Sequence, residues 1–549
     1  MRVSIASVSL MAVGAQAAKL SPTVQGMFDG HMGNMDQIFD STAGYLYNFY
    51  YPLAAGPHET RSTVWYAAGL LQRNKGNDVK NAVRIINSVI DGQFKNKEDQ
   101  WYGDYQKYPE EPTVGTAAYE PSIYDTWDPN WRGFIGSALM IIYEEFGHLI
   151  GKNVQHTIAE SLYNNSIGDS YRVGGVDNDN LYPAYSNPSL MRAVVSGWAG
   201  RKFNDKNMTA AGEMYAQEII SLFNINDTLS EFNVPTYYGV SLSALTLWAK
   251  YMPASSVMAK NGPRMIEDIW TAFGDFYNAR LQNLAGPWDR TYGWDMNKYV
   301  AIMSLYIWSI AGRDHVFSSS EKPWLLAHAD DGEFVPIVSI LSSFHNTLVP
   351  ASVVARLKSF GRSERIVHRH AYSPPFDHQV RNITSWLSEK ITIGGDSYNQ
   401  TVVGGASKDS NSFSPAIAHW YRDATKLQNS SVGYFSLHPS EKSLKASVGP
   451  HWLNLTYPAG NASSVFTFAV SSNPLGGTRD VTGLASINGV SISIGEGSNV
   501  DPTPKVSFCG LMGGDCSPIH NFEFWNLTFT MPAKTTALPQ LNLRFDIKA

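Results

Sequence analysis

Between residues 19 and 365 apolar side chains recur at the spacing of a helix, in segments parted by Gly, Pro and Asn. Six of these segments are apolar on nearly every side. They open near Arg61 (RSTVWYAAGLLQR), Asn130 (NWRGFIGSALMIIYEEF), Pro188 (PSLMRAVVSGWAG), Tyr237 (YYGVSLSALTLWAKY), Asp295 (DMNKYVAIMSLYIWSIAG) and Glu333 (EFVPIVSILSSF). Alternating with them are segments that keep one charged face: DVKNAVRIINSVIDGQF, VQHTIAESLYNN, NMTAAGEMYAQEIISLF and GPRMIEDIWTAFGDFYNARLQNL. Helices buried all round beside helices with one wet face predict two concentric layers. A period of roughly 40–70 residues per helix pair is that of helical hairpins closing into a ring. The expected architecture over residues 19–365 is therefore an (α/α)6-type toroid. An open helical solenoid is the alternative, and the polar clusters in the loops favour a closed ring with one working end.

After about residue 365 the period changes. Short runs such as EKITIGG, NQTVVGG, SVFTFAV, VSISIG, FEFWNLTFTM and LNLRFDI alternate β-branched or aromatic residues with polar ones, punctuated by Gly, Ser and Asn. They predict an antiparallel β-sandwich or jelly-roll-like domain over residues 366–549. Pro374 and Pro375 in HRHAYSPPFDHQ mark where helical character stops. The chain as a whole reads as mainly α plus β and multidomain.

Composition adds a compartment. Residues 1–18 carry Arg2, the apolar stretch VSIASVSLMAVG and an A-x-A site at Ala15–Ala17, the pattern of a cleavable signal peptide, so a secreted, extracellular protein is expected. Nine N-x-S/T sequons, at Asn164, Asn207, Asn226, Asn382, Asn399, Asn429, Asn454, Asn461 and Asn526, are candidate glycosylation sites. The two cysteines, Cys509 and Cys516, read as one short-loop disulfide in an oxidising compartment. They are too few for a structural zinc site, so no metal is expected. No later segment sustains the apolar run a membrane span needs, and no membrane partner is expected. A net charge of −6 with scattered basic residues argues against a nucleic-acid partner. No phosphate-binding glycine loop is present, so no nucleotide cofactor is expected. Aromatic residues make up 12% of the chain, and tryptophan and tyrosine in excess of core needs suit stacking on sugar rings.

In a toroid the loops entering the inner helices gather at one end and enclose a cleft. Four such loops are rich in polar and aromatic residues. They bring His58, Glu59, Arg61 and Trp65; Asp125, Trp127, Asp128, Asn130 and Trp131; Glu231, Asn233, Thr236, Tyr237 and Tyr238; and Trp288, Asp289, Arg290, Tyr292, Trp294 and Asp295. Asp128 and Asn130 also suit plain helix caps. An amide, an arginine and a tyrosine converging on a cleft suit β-elimination of a uronate. The amide and arginine neutralise the carboxylate and steady the developing enolate, and a tyrosine beside the arginine moves the proton. Asn233, Arg290 and Tyr292 are the candidates, with His58 or His315 to supply a histidine. Arg61, Trp127, Asp128, Trp131, Glu231, Tyr237, Tyr238, Trp288, Trp294 and Asp295 are candidate substrate contacts.

At this point the chain resembles the broad group of (α/α)-toroid polysaccharide lyases, the alginate, glucuronan and heparinase-like enzymes, many with a β-sandwich after the toroid. Asn233 matches that group's carboxylate-neutralising amide, and Arg290 with Tyr292 resembles its Arg and Tyr pair; no histidine stands beside the amide. The resemblance implies a polysaccharide lyase acting on a uronic-acid glycan. Two other readings stay open. An inverting glycoside hydrolase on the same ring needs two carboxylates, for which Asp128, Glu231, Asp289 and Asp295 are available. A secreted glycan-binding protein without chemistry would keep the aromatic residues alone.

Overall fold

The computed structural model describes residues 19–48, 57–291, 296–317, 329–361, 363–408, 412–422, 432–471, 481–509 and 524–548. Its helices are α1 (Pro22–Gln37), α2 (Thr60–Arg73), α3 (Asp78–Asp91), α4 (Trp131–Ser170), α5 (Ser186–Lys202), α6 (Lys206–Phe223), α7 (Pro235–Tyr251), α8 (Val257–Phe276), α9 (Ala301–Ala311), α10 (Val335–His345) and α11 (Ala351–Lys358). α4 is an inner and an outer helix joined at Gly151, where φ of +79° breaks the helix at a residue that tolerates it.

The sequence periodicity sets the layers. In α9 every residue from Ala301 to Ser309 is buried, whereas α3 buries the stripe Ala82, Ile85, Ile86, Val89 and Ile90 and leaves its other face wet. The inner helices α2, α4, α5, α7, α9 and α10 each pack on the next, and α10 packs back on α2, so the ring is closed. Outside it, α3 lies on α2 and α4, α6 on α5, α8 on α7, and α1 on α9 and α10. α5 and α6 touch through glycines. A Cβ on Gly212 would stand 2.4 Å from the Gly197 amide nitrogen, so only glycine allows this approach.

Five short strands decorate the toroid: β1 (Phe39–Asp40), β2 (Tyr45–Tyr47) and β3 (His58–Glu59) in one ribbon, β4 (Tyr277–Asn278) and β5 (Asn283–Leu284) in another. The last helix ends at Lys358, and a twelve-stranded antiparallel sheet follows. Its strands are β6 (Arg365–Ala371), β7 (Arg381–Leu387), β8 (Ile391–Asn399), β9 (Ala416–Tyr421), β10 (Val432–Pro439), β11 (Ser443–Gly449), β12 (Trp452–Thr456), β13 (Val465–Ser471), β14 (Val490–Ile494), β15 (Lys505–Cys509), β16 (Phe524–Thr530) and β17 (Gln540–Ile547). The main path is β14-β17-β12-β11-β8-β9-β10-β13-β16-β15, with β7 and β6 branching from β8. The sheet curls until its halves face each other: Phe435 on β10 meets Phe545 on β17, five strands away, at 6.0 Å between ring centroids. One apolar cluster fills the space between the halves.

The two domains share a core. Val234, Trp288, Met296 and Tyr299 of the toroid pack with Ile417, Tyr434, Ala469 and Phe524 of the sheet. Hydrogen bonds stitch the same seam, with the Thr291 amide donating to the Ser412 carbonyl at 2.7 Å and Asn297 Nδ2 to the Val432 carbonyl at 2.7 Å. The sheet is thereby fixed against the end of the ring at which the inner helices begin.

Candidate functional site

A cavity of about 520 Å³ lies at that end. Every inner helix contributes from its first turn or the loop that leads into it: Arg61 and Trp65 for α2, Asp128 and Asn130 for α4, Tyr185 for α5, Glu231 and Tyr237 for α7, Ile302 for α9 with Asp289 and Arg290 from the long loop before it, Asp330 and Asp331 before α10. The sheet domain closes the far side with Phe376, Arg381, Gln400, Ser407 and Phe413. In none of these six helices does the N-cap side chain accept a backbone N–H of the helix, and the same holds for the outer helix α3, whereas Ser21, Asp205 and Ser256 cap the outer helices α1, α6 and α8 in this way. Helix N-termini carry partial positive charge, and at two of them the protein's own carboxylates already answer it: Glu231 accepts the Asn187 amide and Asp128 the Asn130 amide.

The centre of the site is a group of phenols, an amide and a cation. The Arg290 guanidinium lies 5.3 Å from the Tyr237 ring centroid. Asn130 Nδ2 donates to the Tyr185 hydroxyl at 3.5 Å, and Asn130 Oδ1 accepts from Arg172 at 3.0 Å, which fixes which way the amide faces. The Asn130 side chain is thus committed to the site rather than to capping α4. Burial pushes the Tyr185 phenol well above its ordinary value and Tyr237 adds to that, while the charge of Arg290 pulls toward the phenolate.

Carboxylates fill the rest of the wall. Burial raises Glu231 to about 7, against hydrogen bonds from the Asn187 amide at 2.9 Å and its side chain at 2.9 Å. Asp128 is raised by burial and receives the Asn130 amide at 2.9 Å. Asp289 is raised by burial although Arg381 grips it. Arg61 sits 3.0 Å from Glu59 and 3.2 Å from Asp330, with Trp65, Trp131 and Phe134 each 5.3 Å from its guanidinium. Among the described residues no group of three or more His, Cys, Asp or Glu side chains is placed to hold a metal ion. No single described helix is long and apolar enough to cross a membrane.

Of the residues the sequence singled out, Arg61, Trp65, Asp128, Asn130, Glu231, Thr236, Tyr237, Asp289 and Arg290 line the cavity. Tyr292, Trp294, Asp295, Cys516 and Asn429, with residues 1–18, lie outside the described residues. Three candidates stand elsewhere. Asn233, at φ +56°, spends its side-chain N–H groups on the Ala285 and Pro287 carbonyls at 2.8 and 2.7 Å, holding the loop that delivers Arg290; it does not line the cavity. His58 bonds Glu110, sits 3.5 Å from Asp40 and stacks on Tyr47 at 4.3 Å, outside the cavity. His315, in the turn after α9, accepts the Tyr277 hydroxyl on its carbonyl at 2.8 Å and is also absent from the lining.

Four aromatic candidates are structural. Trp127 is buried against Arg132, Trp131 packs behind Arg61, Tyr238 is core, and Trp288 wedges between Tyr299 and His419 at the domain seam. Among the sequons, Asn207, Asn382, Asn399 and Asn461 are exposed. The Asn526 side chain is buried, and Asn164 Oδ1 accepts from the Tyr102 hydroxyl at 2.8 Å.

Tyr185, Tyr182, Tyr124, Asp330, Asp331 and Arg381 complete the lining without having been singled out. The segment LYPAYSNPS ahead of α5 carries the same signal as the four loops read above, a polar and aromatic run entering an inner helix, and holds Tyr182 and Tyr185.

No curated protein matches this chain. Solved structures are similar to it at low identity, and three of them are these. A chondroitin AC lyase of Streptomyces coelicolor in complex with chondroitin sulphate is 9% identical, covers 96% of this chain and 79% of its own, and has a TM-score of 0.35. A heparinase III is 8% identical, with 96% and 84% covered and a TM-score of 0.30. A heparan sulfate lyase of Pedobacter heparinus is 10% identical, with 97% and 84% covered and a TM-score of 0.29. Family models match in two places, residues 25–343 to a domain of unknown function, DUF8769, and residues 363–546 to a second, DUF8770. The first match spans more than half of the sequence, and the chain belongs to the DUF8769 family.

Proposed function

We propose that the protein is a polysaccharide lyase that cleaves a uronic-acid-containing glycan by β-elimination in this cavity. The observation that carries the reading is the grouping of Arg290, Asn130, Tyr185 and Tyr237 on one wall, at the end of the ring where six helix N-termini converge. The α-proton of a uronate is too weakly acidic to remove unless the carboxylate charge is neutralised. Arg290 and the Asn130 amide supply that neutralisation and hold the enolate oxygens as charge builds on them. Tyr185, bonded to Asn130 and facing Arg290, is the proton carrier: its own hydroxyl proton leaves to solvent as the substrate binds, the phenolate left beside Arg290 takes the α-proton as the enolate forms, and the phenol so formed gives that proton to the glycosidic oxygen as its bond to the ring breaks, which restores the phenolate. Tyr237 stacks the sugar and shields the cation from water.

The test is to incubate the purified protein with a panel of uronate polysaccharides and follow the near-ultraviolet absorbance of the unsaturated product, for wild type and Tyr185→Phe. The expected result is a rising absorbance that the substitution lowers by about 10²–10⁴-fold with little change in KM. Absorbance unaffected by Tyr185→Phe removes the phenol from the mechanism.

One observation favours a second reading, an inverting hydrolase. Glu231, raised to about 7, has the protonation of a general acid, and Asp128 or Asp331 would be its partner base. New reducing ends without absorbance would establish it.

We also propose that the protein is exported, with residues 1–18 as the leader, glycans on the exposed sequons and Cys509 paired with Cys516. The signal-peptide pattern and the exposure of Asn207, Asn382, Asn399 and Asn461 support this.

A further inference from the structure

Behind the cavity wall, and not part of its lining, lies Arg172, 5% exposed. The chain brings it there by folding α4 back on itself at Gly151: Asn165 Nδ2 reaches the Arg132 carbonyl at 2.7 Å, so the residues that follow α4 return to those that begin it. Arg172 Nε and Nη2 bond the two oxygens of Asp179 at 2.8 and 3.1 Å, and Asp169 lies 3.6 Å from Nη1. These carboxylates answer its charge. The rest of the fork is turned on the start of α4, where Nη2 donates to Asn130 Oδ1 at 3.0 Å and Nη1 to the Pro129 carbonyl at 3.3 Å. Asp179 is placed in turn by the Leu181 amide at 2.9 Å and by the hydroxyl of Tyr124, a residue of the cavity wall, at 3.1 Å. Asp179 and Asn130 are as deeply buried as Arg172, so water competes little for these bonds.

A guanidinium carries only donors, so the Asn130 atom it meets is the oxygen, and the N–H groups of the amide are turned away from Arg172 toward Tyr185. An amide held by nothing turns over at little cost and then presents its oxygen to a carboxylate, exchanging a hydrogen bond for a repulsion. A bond from a charged donor to that oxygen also polarises the amide and strengthens its N–H groups as donors. We infer that Arg172, held by Asp179, is a positioning residue of this site: it fixes the Asn130 NH2 group toward Tyr185 and the cavity, so that the wall meets an acidic sugar with donors. The consequence for turnover rests on the uronate reading above, whereas the orientation of the amide in the empty site does not. Lysine would keep a positive charge beside Asp179, but a single ammonium has no planar fork with which to hold Asp179 and Asn130 in one geometry.

The experiment has one arm without substrate and one with it, each comparing wild type with Arg172→Lys. In the first, the full-length protein carries isotope-labelled asparagine and tyrosine in a deuterated background, and the Asn130 amide protons are identified by their absence in Asn130→Ala. Wild type is expected to show nuclear Overhauser contacts from these protons to the Tyr185 ring, and Arg172→Lys to lose about half of that intensity as the amide populates both orientations. In the second, Arg172→Lys is expected to lower kcat/KM on a uronate polysaccharide by about 10–10²-fold, mostly in kcat, and to cause no further loss in an Asn130→Ala background. Absence of the contacts in wild type, unchanged contacts in Arg172→Lys, or an equal loss of turnover with and without Asn130 overturns the positioning role. If wild type makes no unsaturated product, the lyase reading falls and the contacts in the empty site decide on Arg172 alone. Should Arg172→Lys fail to fold, Arg172→Met combined with Asp179→Asn, which removes both charges of the pair, takes its place in both arms.

Discussion

Arg381 of the sheet domain and Asp289 of the toroid form a two-nitrogen ion pair across the domain junction, with Arg381 Nη2 at 2.8 Å from Asp289 Oδ2. Asp289 also accepts the Phe232 amide at 3.0 Å, so this one pair ties β7 to the loops on both sides of the cavity, including the loop that carries Arg290. Arg381→Met would leave Asp289, Asp377 and Asp396 facing one another without a cation. The expected loss of stability is about 3–5 kcal/mol, read from denaturant unfolding. A loss below about 1 kcal/mol would show that solvent already screens the cluster.

Glu231 separates the two catalytic readings. Burial lifts it to about 7, so a pH profile of kcat/KM should show an inflection near that value. For a lyase, Glu231→Gln removes the inflection and keeps activity within about tenfold. For a hydrolase the same variant loses about 10²–10⁴-fold.

Asp104 makes stability depend on pH. It is fully buried; its Oδ1 accepts the Tyr105 amide at 2.9 Å, and burial lifts it to about 8 against the pull of Arg132. The folded state therefore holds this proton more tightly than the unfolded chain, where the carboxyl titrates near 3.8. Its contribution is complete below about 4 and is lost as pH rises toward about 8. Glu231 and Asp396, both raised by burial to about 7, act in the same direction. Melting temperature should fall across this window, and Asp104→Asn should flatten the fall. At lower pH the opposite sign appears from Asp179, which Arg172 holds below the usual range against the effect of burial.

The residues that stand outside the cavity make a control pair. Asn233→Ala removes donors from two buried carbonyls and places alanine at a positive φ, with an expected cost of about 3 kcal/mol. His58→Gln should leave kcat unchanged, since its ring faces Glu110, Asp40 and Tyr47. A loss of turnover in a fully folded His58→Gln protein would return the histidine to the chemistry.

What the sequence discloses follows from the range over which each residue acts. The ring is legible because an all-apolar helix such as AIMSLYIWSIA has no place except inside another layer, a local property. Arg61, Asp128, Glu231, Tyr237 and Arg290 are legible for a related reason: entry loops of inner helices must share one end of a closed ring. Tyr185 follows the same rule from its own loop. Asn233 and His58 obey the rule by position and escape it by contact, because the carbonyls of Ala285 and Pro287 and the carboxylate of Glu110 come from segments about fifty residues away. Arg381, Gln400 and Phe413 reach the cavity only because the sheet docks on the ring, which no local pattern encodes.

The uncapped inner helices bear on where the ring opens first by local unfolding. In these six helices the N-cap residue's own side chain supplies no acceptor, and an anion lying across them would offer what Ser21, Asp205 and Ser256 give α1, α6 and α8. A ligand that satisfied these ends would make the ring harder to open locally when bound than when empty.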